Sequence, residues 1–356
     1  MLKQVVRNEI IVGMVVWKDV MSDDGALILP KDSAITASAL NKLDAYGIDS
    51  ITIQVEEIQT ITKESDEMPV ATIDSEEFGE FLTYYNNHVN DVTSNLNAIM
   101  GGKIVDMNEI QQLLDSLVQK TPNQSTLLGF IYQLNKSNNT VYSHSINVSI
   151  LARIFGKWLR CSPEKVKELG VAGFLHDIGK LKIHPPLNGR VEHFTQPQYQ
   201  KYRQHVTLGY DMVKNMALPI GVKQCILFHH ERYDGNGFPM KPVWGQVHDY
   251  AKIIAIVDRF DILTSKRPYG HDLHPFKAIR ELEENSYTIY DPAYLYTFLE
   301  NIAHNYIGSQ VRMTDHKVGK IIFINTRNPS RPLIELMNGT MVDMSFDYKK
   351  DIIEFL

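Results

Sequence analysis

Cysteine is scarce in this chain, with only Cys161 and Cys225 among 356 residues. Two thiols are too few for a framework of disulfide bonds, so we expect an apolar core in a reducing compartment. Long apolar runs are also missing, because no window approaches the ~18 residues that a membrane-spanning helix needs. The N-terminus shows no signal-peptide core. These absences predict a cytoplasmic protein with no membrane partner.

Positive charge is not in excess either, since the formal net charge is −6. No overall basic field therefore attracts the chain to a nucleic-acid polymer or an anionic surface, and groups that bind phosphate must be local. Walker and Rossmann glycine patterns and nucleophilic Ser or Cys motifs are lacking as well. The common nucleotide-binding and covalent-catalysis classes are thereby disfavoured.

What is present is mostly helical periodicity, with strand-like segments near each end of the chain. The fold class we predict is mainly α, a helical bundle with a small N-terminal α/β segment and a short C-terminal β-rich segment. We predict an N-terminal domain at 1–60 and a linker with a helical segment at 61–122. A helical catalytic domain follows at 123–305, and a β-rich extension at 306–356.

One helical stretch repeats its apolar residues in strict 4-3 alternation: Phe78, Leu82, Tyr85, Val89, Val92, Leu96 and Ile99. Such a seam is typical of a helix packed on its own domain and equally of a coiled coil that joins two copies of a chain. The pattern leaves both interpretations open. Under the second, the protein is a homodimer.

Histidine is concentrated in one region. Seven of the thirteen histidines lie within 87 residues, at His144, His176, His184, His193, His205, His229 and His230. Histidines clustered with aspartates are typical of a metal site or of acid/base catalysis. Taken alone, His144 and His205 are more often core histidines, and His184 and His193 have no motif partner.

Two of these histidines belong to pairs at the ends of apolar helices. His176 is followed by Asp177, whose two oxygens can bridge two ions, and Lys180 can reach a phosphate oxygen from three residues further on. His229 and His230 point in different directions, which suits two ions a few ångströms apart, or one metal ligand and one substrate contact. A purely structural role for each pair remains the alternative.

Asp258 is the most informative single residue, because it interrupts a segment that is apolar nearly all round. A buried carboxylate is unfavourable unless it is paired or binds a metal. Asp261, on the same face, is expected to cap a neighbouring helix or to bind Arg267. The candidate ligands are nitrogen and oxygen atoms without thiolate, which favours manganese, iron or a catalytic zinc. Two such ions can hold a bridging hydroxide and stabilise both oxygens of a phosphoester displacement.

In this order the motifs resemble those of the HD-GYP family. The match covers residues 126–304 and consists of YSHSINV at 142–148, HDIGK at 176–180, His205, HHE at 229–231, DGNGFP at 234–239 and DRFDILTSKRPY at 258–269.

The resemblance implies a helical phosphodiesterase that hydrolyses cyclic di-GMP to the linear dinucleotide or to GMP. It implies two divalent ions, iron or manganese, with Asp177 bridging them, Lys180 on a phosphate and Arg267 on the substrate. Proteins of the diguanylate cyclase type become candidate partners. The implied metal ligands are His144, His176, Asp177, His205, His229, His230 and Asp258.

Three positions depart from the family pattern. Phe238 replaces the tyrosine of the Gly-Tyr-Pro motif, Gly270 stands where some members have a basic substrate contact, and Thr140 stands where tri-metal members have a glutamate. The first two put the choice of substrate in doubt. The third predicts two ions and not three.

Two other functions compete with this prediction. An HD-type phosphohydrolase could act on a different nucleotide, although the 234–239 loop and the 264–269 run argue against a plain member of that superfamily. A degenerate domain could bind the messenger or a partner without cutting it. The first sixty residues resemble a small segment that precedes some HD-GYP domains, which suggests regulation.

Overall fold

A computed structural model of the protein describes residues 2–6, 15–22, 25, 27–31, 33, 43, 46–54, 76–136, 140–187, 190–266, 271–347 and 349–356. The chain forms two compact units, residues 1–66 and residues 67–356. No helix within the described ranges combines the length and the apolarity that are needed to cross a bilayer.

The first unit contains short antiparallel strands: β1 (Leu2–Val6), β2 (Val15–Val16), β3 (Val20–Met21), β4 (Leu27–Leu29) and β5 (Ser50–Gln54). β5 lies between β1 and β2, and β3 pairs with β4. Its small core consists of Val5, Val16, Val20, Ile28, Leu29, Leu43 and Ile51.

Strands were predicted at 10–17, 26–29 and 50–55, and the structure has strands within each of these ranges. The strand β1 was not predicted, because its apolar run is too short to signal a strand. The predicted helix at 36–46 and the predicted linker at 60–69 fall almost wholly outside the described residues.

The second unit is built from the helices α1 (Glu76–Met100), α2 (Met107–Val118), α3 (Gln124–Asn135), α4 (Val141–Trp158), α5 (Pro163–Leu175), α6 (Gln196–Val213), α7 (Ile220–Phe228), α8 (Asp249–Thr264), α9 (Pro275–Asn285) and α10 (Pro292–His304). Several begin with a side chain that accepts a backbone N–H, as Asp106 does for α2 and Ser162 for α5. Such caps satisfy donors that the first turn leaves without a partner.

Helix α1 contains the heptad pattern, and its apolar face is buried within its own unit. Val92 is 0% exposed and Leu96 is 1% exposed, and the ring of Phe81 lies 5.0 Å from that of Phe130 on α3. The seam that a coiled coil would use is therefore already covered. This packing favours the internal-helix interpretation over the homodimer.

A 3-10 segment (Ile178–Lys182) follows α5 and packs closely on α6. A Cβ on Gly179 would lie 1.9 Å from the carbonyl oxygen of His205. Gly179 lies beyond α5, which ends at Leu175. Glycine at 179 allows two backbones to approach, which brings the 176–180 segment against α6.

The C-terminal strands form one antiparallel sheet, in the order β10-β6-β7-β8-β9: β6 (Gln310–Met313), β7 (Val318–Phe323), β8 (Leu333–Leu336), β9 (Met341–Asp343) and β10 (Ile352–Phe355). Gly339 has a φ of +80° in the turn between β8 and β9, as expected of the predicted hairpin. The sheet packs on the helices through Phe355, whose ring contacts Phe276 and Tyr306. The predicted fold class, mainly α with β-containing segments at both ends, is confirmed.

Candidate metal centre

Two groups of side chains meet where α4, α6 and α8 converge with the ends of α5 and α7. We call the first the triple-histidine group, which consists of Asp177, His205, His229 and His230. We call the second the double-histidine group, which consists of His144, His176 and Asp258. Within each group, one ligand atom from every residue lies within 4.8 Å of the others. All seven metal ligands implied by the sequence thus lie in one group or the other.

Asp177 lies between the two groups. Its Oδ1 is 3.3 Å from Nε2 of His205 and 3.8 Å from Nε2 of His229. Its Oδ2 is 3.4 Å from Nε2 of both His144 and His176. Because each oxygen faces a different group, the carboxylate has the arrangement that a bridging ligand needs.

The histidines are oriented by hydrogen bonds from Nδ1 that leave Nε2 pointing into the site. Nδ1 of His176 donates to the carbonyl of Gly173 at 2.7 Å, and Nδ1 of His205 donates to that of Tyr202 at 2.6 Å. His229 donates in the same way to the carbonyl of Cys225 at 3.1 Å. Such outer partners set the tautomer and the direction of a metal-binding imidazole.

Two histidines depart from this scheme. Nδ1 of His144 donates to a side chain, Oδ2 of Asp261, at 2.7 Å. Nε2 of His230 lies 3.0 Å from the hydroxyl oxygen of Tyr202, and its ring stacks on Phe238 at a centroid distance of 4.7 Å. His230 therefore joins its group with Nε2 already in contact with a protein hydroxyl.

The residues present fit a pair of divalent cations. Nε2 of His176 and Oδ1 of Asp177 are buried and make no hydrogen bond within the described part of the chain. Polar atoms buried without a partner are unfavourable, and a cation is a partner that both can use. The donors are imidazole nitrogens and carboxylate oxygens, a set that suits manganese, iron or catalytic zinc.

The protonation of the histidines differs between the two groups. Burial lowers the pKa of His205 to about 4 and that of His229 to about 3, so both rings are neutral near pH 7. Burial opposes protonation of His176 as well, but the carboxylates of Asp177 and Asp258 outweigh it and raise the pKa to about 10. Burial also opposes ionisation of Asp177, yet Lys180 and the histidines hold its pKa well below the usual range.

The site forms part of the wall of a cavity of about 640 Å³. Lys180 reaches this cavity and hydrogen-bonds to Oδ2 of Asp177, with its ammonium 5.4 Å from the ring centroid of Tyr202. The lining also includes five aromatic side chains and two arginines: Phe194, Tyr199, Tyr202, Phe238, Tyr290, Arg232 and Arg259.

The remaining predicted positions have different outcomes. Arg267 and Gly270 lie outside the described residues. Thr140 caps helix α4, where its hydroxyl accepts the N–H of Ser143 at 3.2 Å. Phe238 is 7% exposed, and its ring packs on that of His230.

Sequence reasoning missed the residues behind His144. Asp261 accepts hydrogen bonds from His144, Asn135 and Asn147. Its expected contact with Arg267 involves a residue outside the described part of the chain. One signal was available, because a carboxylate within an apolar helix needs several donors. Nothing in the spacing indicated which residues would supply them.

Comparison with known proteins identifies the helical part of the chain. Residues 129–294 match the family model described as HD domain. The helical part of the chain is therefore similar to HD domains. The matched range includes every residue of the two ligand groups.

Curated relatives of the HD domain region are phosphodiesterases by name. The chain is 28% identical to a cyclic di-GMP phosphodiesterase of Pseudomonas aeruginosa, over 66% of this chain and 57% of the relative. It is 30% identical to a cyclic di-GMP phosphodiesterase of Thermotoga maritima, over 45% of this chain and 44% of the relative. A 3'3'-cGAMP-specific phosphodiesterase of Vibrio cholerae is 26% identical over 42% of this chain and 32% of the relative. The chain thus spans about half the length of these relatives, or less.

A solved structure has the same fold. An HDG"Y"P protein from Bdellovibrio bacteriovorus matches with a TM-score of 0.50 and 15% identity, covering 84% of this chain and 98% of that one. The resemblance to HD-GYP proteins expected from the motifs is confirmed.

Proposed function

We propose that the protein is a metal-dependent phosphodiesterase that hydrolyses a cyclic purine dinucleotide, with cyclic di-GMP as the first candidate. The observation that carries this proposal is Asp177, whose two oxygens face two separate ligand groups at the wall of a 640 Å³ cavity. The names of the relatives, cyclic di-GMP and cGAMP phosphodiesterases, support the same class of substrate.

Two divalent ions bound here would activate a water for attack and stabilise charge on the attacking and leaving oxygens of a phosphodiester. The chain's own residues prepare the site for them. Asp177 and Asp258 supply negative charge at its centre, and His205 and His229 supply neutral imidazoles. We assign iron or manganese to these groups, in agreement with the nitrogen and oxygen donors.

Lys180 is assigned to the substrate phosphate. Its ammonium lies beside Asp177 and lines the cavity, so it can meet a non-bridging oxygen of a phosphodiester held at the two groups. Arg267 is assigned to a more distant part of the substrate, as the family resemblance implies.

The size of the cavity and its aromatic side chains suit a nucleotide ligand. Ligand cavities in proteins commonly measure ~300–1,000 Å³, and this one lies near the middle of that range at about 640 Å³. Rings such as Tyr199, Phe194 and Tyr290 can stack on bases, and aromatic stacking contributes about 1–3 kcal/mol per base. Arg259 and Arg232 also line the cavity, where they pair with Glu192 and Asp234.

Two ions are proposed because Thr140 is occupied as the cap of α4 and offers no carboxylate for a third. The product is the linear dinucleotide, GMP or both. A substrate panel tests the whole proposal: cyclic di-GMP, mixed cyclic GMP-AMP, a linear dinucleotide and a mononucleotide, each with manganese and with anaerobic ferrous iron.

We expect cleavage of at least one cyclic dinucleotide, with about two ions per chain by metal analysis. Activity confined to mononucleotides would move the protein to the wider HD phosphohydrolases. Binding of a cyclic dinucleotide by the metal-loaded chain without cleavage would favour the alternative, a signalling module that only binds the messenger.

A further inference from the structure

A line of buried polar side chains leads away from His144 towards helix α1. The line runs through Asp261 on α8 and Asn147 on α4 to Tyr85 on α1. All four residues are buried, with exposed fractions of 3% or less. Polar groups placed so deeply need a specific role or a full set of partners.

The first step joins His144 to Asp261. Nδ1 of His144 donates to Oδ2 of Asp261 at 2.7 Å, while Nε2 of the same ring lies 2.9 Å from Oδ1 of Asp258. Asp261 therefore holds the proton of His144 on Nδ1 and leaves Nε2 directed at the double-histidine group.

The second step fixes Asp261 itself. Its Oδ1 accepts hydrogen bonds from the side-chain amides of Asn135 at 3.1 Å and Asn147 at 3.2 Å. Asn147 also donates to Oδ1 of Asn135 at 2.9 Å, which uses both of its amide hydrogens. The carboxylate is thus held by donors on α3 and α4 in addition to His144.

The third step fixes Asn147. The hydroxyl of Tyr85 donates to Oδ1 of Asn147 at 2.7 Å and also lies 3.1 Å from the carbonyl oxygen of Ser143. An amide turned the other way would place its oxygen against the carboxylate of Asp261, which is repulsive. In the orientation that Asp261 requires, the hydroxyl at position 85 supplies the donor that the buried Oδ1 of Asn147 needs.

We propose that Tyr85 and Asn147 are positioning residues that act through Asp261 on His144, and so set the metal affinity of the double-histidine group. The inference rests on the metal centre of the proposed function but not on the identity of the substrate. It also couples the packing of α1 to His144 through side chains, whereas His205 and His229 of the triple-histidine group donate to main-chain carbonyls.

The test is a titration of the metal-free full chain with Mn²⁺, with free Mn²⁺ measured by electron paramagnetic resonance. Tyr85→Phe removes the hydroxyl and keeps the ring. Tyr84→Phe is the matched control, because Tyr84 directly precedes Tyr85 on α1 and its ring packs on His88 instead. Asp261→Asn breaks the same line closer to the metal. Every variant is made in a His205→Ala background, in which the triple-histidine group is disrupted and Mn²⁺ binding reports on the double-histidine group.

We expect Asp261→Asn to weaken Mn²⁺ binding by about 10–100-fold, the usual effect of losing an outer partner of a metal ligand. We expect Tyr85→Phe to weaken it by about 3–10-fold, because it acts one residue further away. Tyr84→Phe should bind as the parent does.

Equal Mn²⁺ affinity in Tyr85→Phe and Tyr84→Phe overturns the inference, and so does a Tyr85→Phe variant that loses only thermal stability. If Tyr85→Phe does not fold, unchanged binding in Asp261→Asn overturns it. A parent chain that binds no Mn²⁺ instead contradicts the proposed function, so the two failures can be told apart.

Discussion

The triple-histidine group and the double-histidine group share Asp177 but are held in place differently. In the first, the rings of His205 and His229 are oriented by carbonyls three and four residues earlier in the same helical segment. In the second, His144 is oriented by Asp261, which lies 117 residues away in the sequence. Local backbone positions one group, and a tertiary network positions part of the other. The two groups should therefore respond separately to mutation.

The largest expected effect comes from the residue that the groups share. Asp177→Ala removes both facing oxygens, so the chain should lose both ions and its activity should fall by at least about 10³-fold. Metal analysis after dialysis and the phosphodiesterase assay measure the two effects. Asp211→Ala is the matched control, because Asp211 is an exposed aspartate on α6 that pairs only with Lys214 among the described residues. Two ions retained by Asp177→Ala would contradict a bridging role.

Single histidine variants sharpen the comparison. His205→Ala should lower the metal content by about one ion per chain and leave the double-histidine group loaded, and His144→Ala should do the reverse. Manganese titrations of the two variants should then give two different single affinities. Loss of both ions in each variant would show that the groups form one inseparable centre.

The smallest expected effect separates substrate binding from metal binding. Lys180→Ala should leave the metal content unchanged and slow turnover by about 10²-fold, the usual effect of losing one donor to developing charge. Lys182→Ala, two residues further along the same segment and exposed, should behave as the parent. If Lys180→Ala loses metal, its ammonium serves to hold Asp177 and not the phosphate.

Much of the candidate centre was predictable because its motifs are local. Short strings of residues show a histidine and an aspartate at the end of one apolar helix and two histidines at the end of a second. The fold class was also predictable, since the periodicity of α1 and α8 follows from the faces they bury. The role of Tyr85 was not. A tyrosine in an apolar seam signals only that its hydroxyl needs some partner.

The two interpretations of the seam show the same limit. The 4-3 pattern determined that α1 is amphipathic, and both a dimer and an internal helix satisfy that condition. Only the packing of Phe81 and Leu96 within the unit favours the second. A hydrophobic pattern states that a face must be buried and does not state against what.

By itself, the sequence determined which residue types could bind metal and phosphate, and the helical periodicity that carries them. The tertiary structure decided how those residues are grouped. Asp177 divides its oxygens between two groups because Gly179 lets the segment after α5 approach the backbone of His205. Asp261 orients His144 because α4 and α8 lie side by side in the core. Such contacts join positions that are far apart along the chain, and only the packing of the helices brings them together.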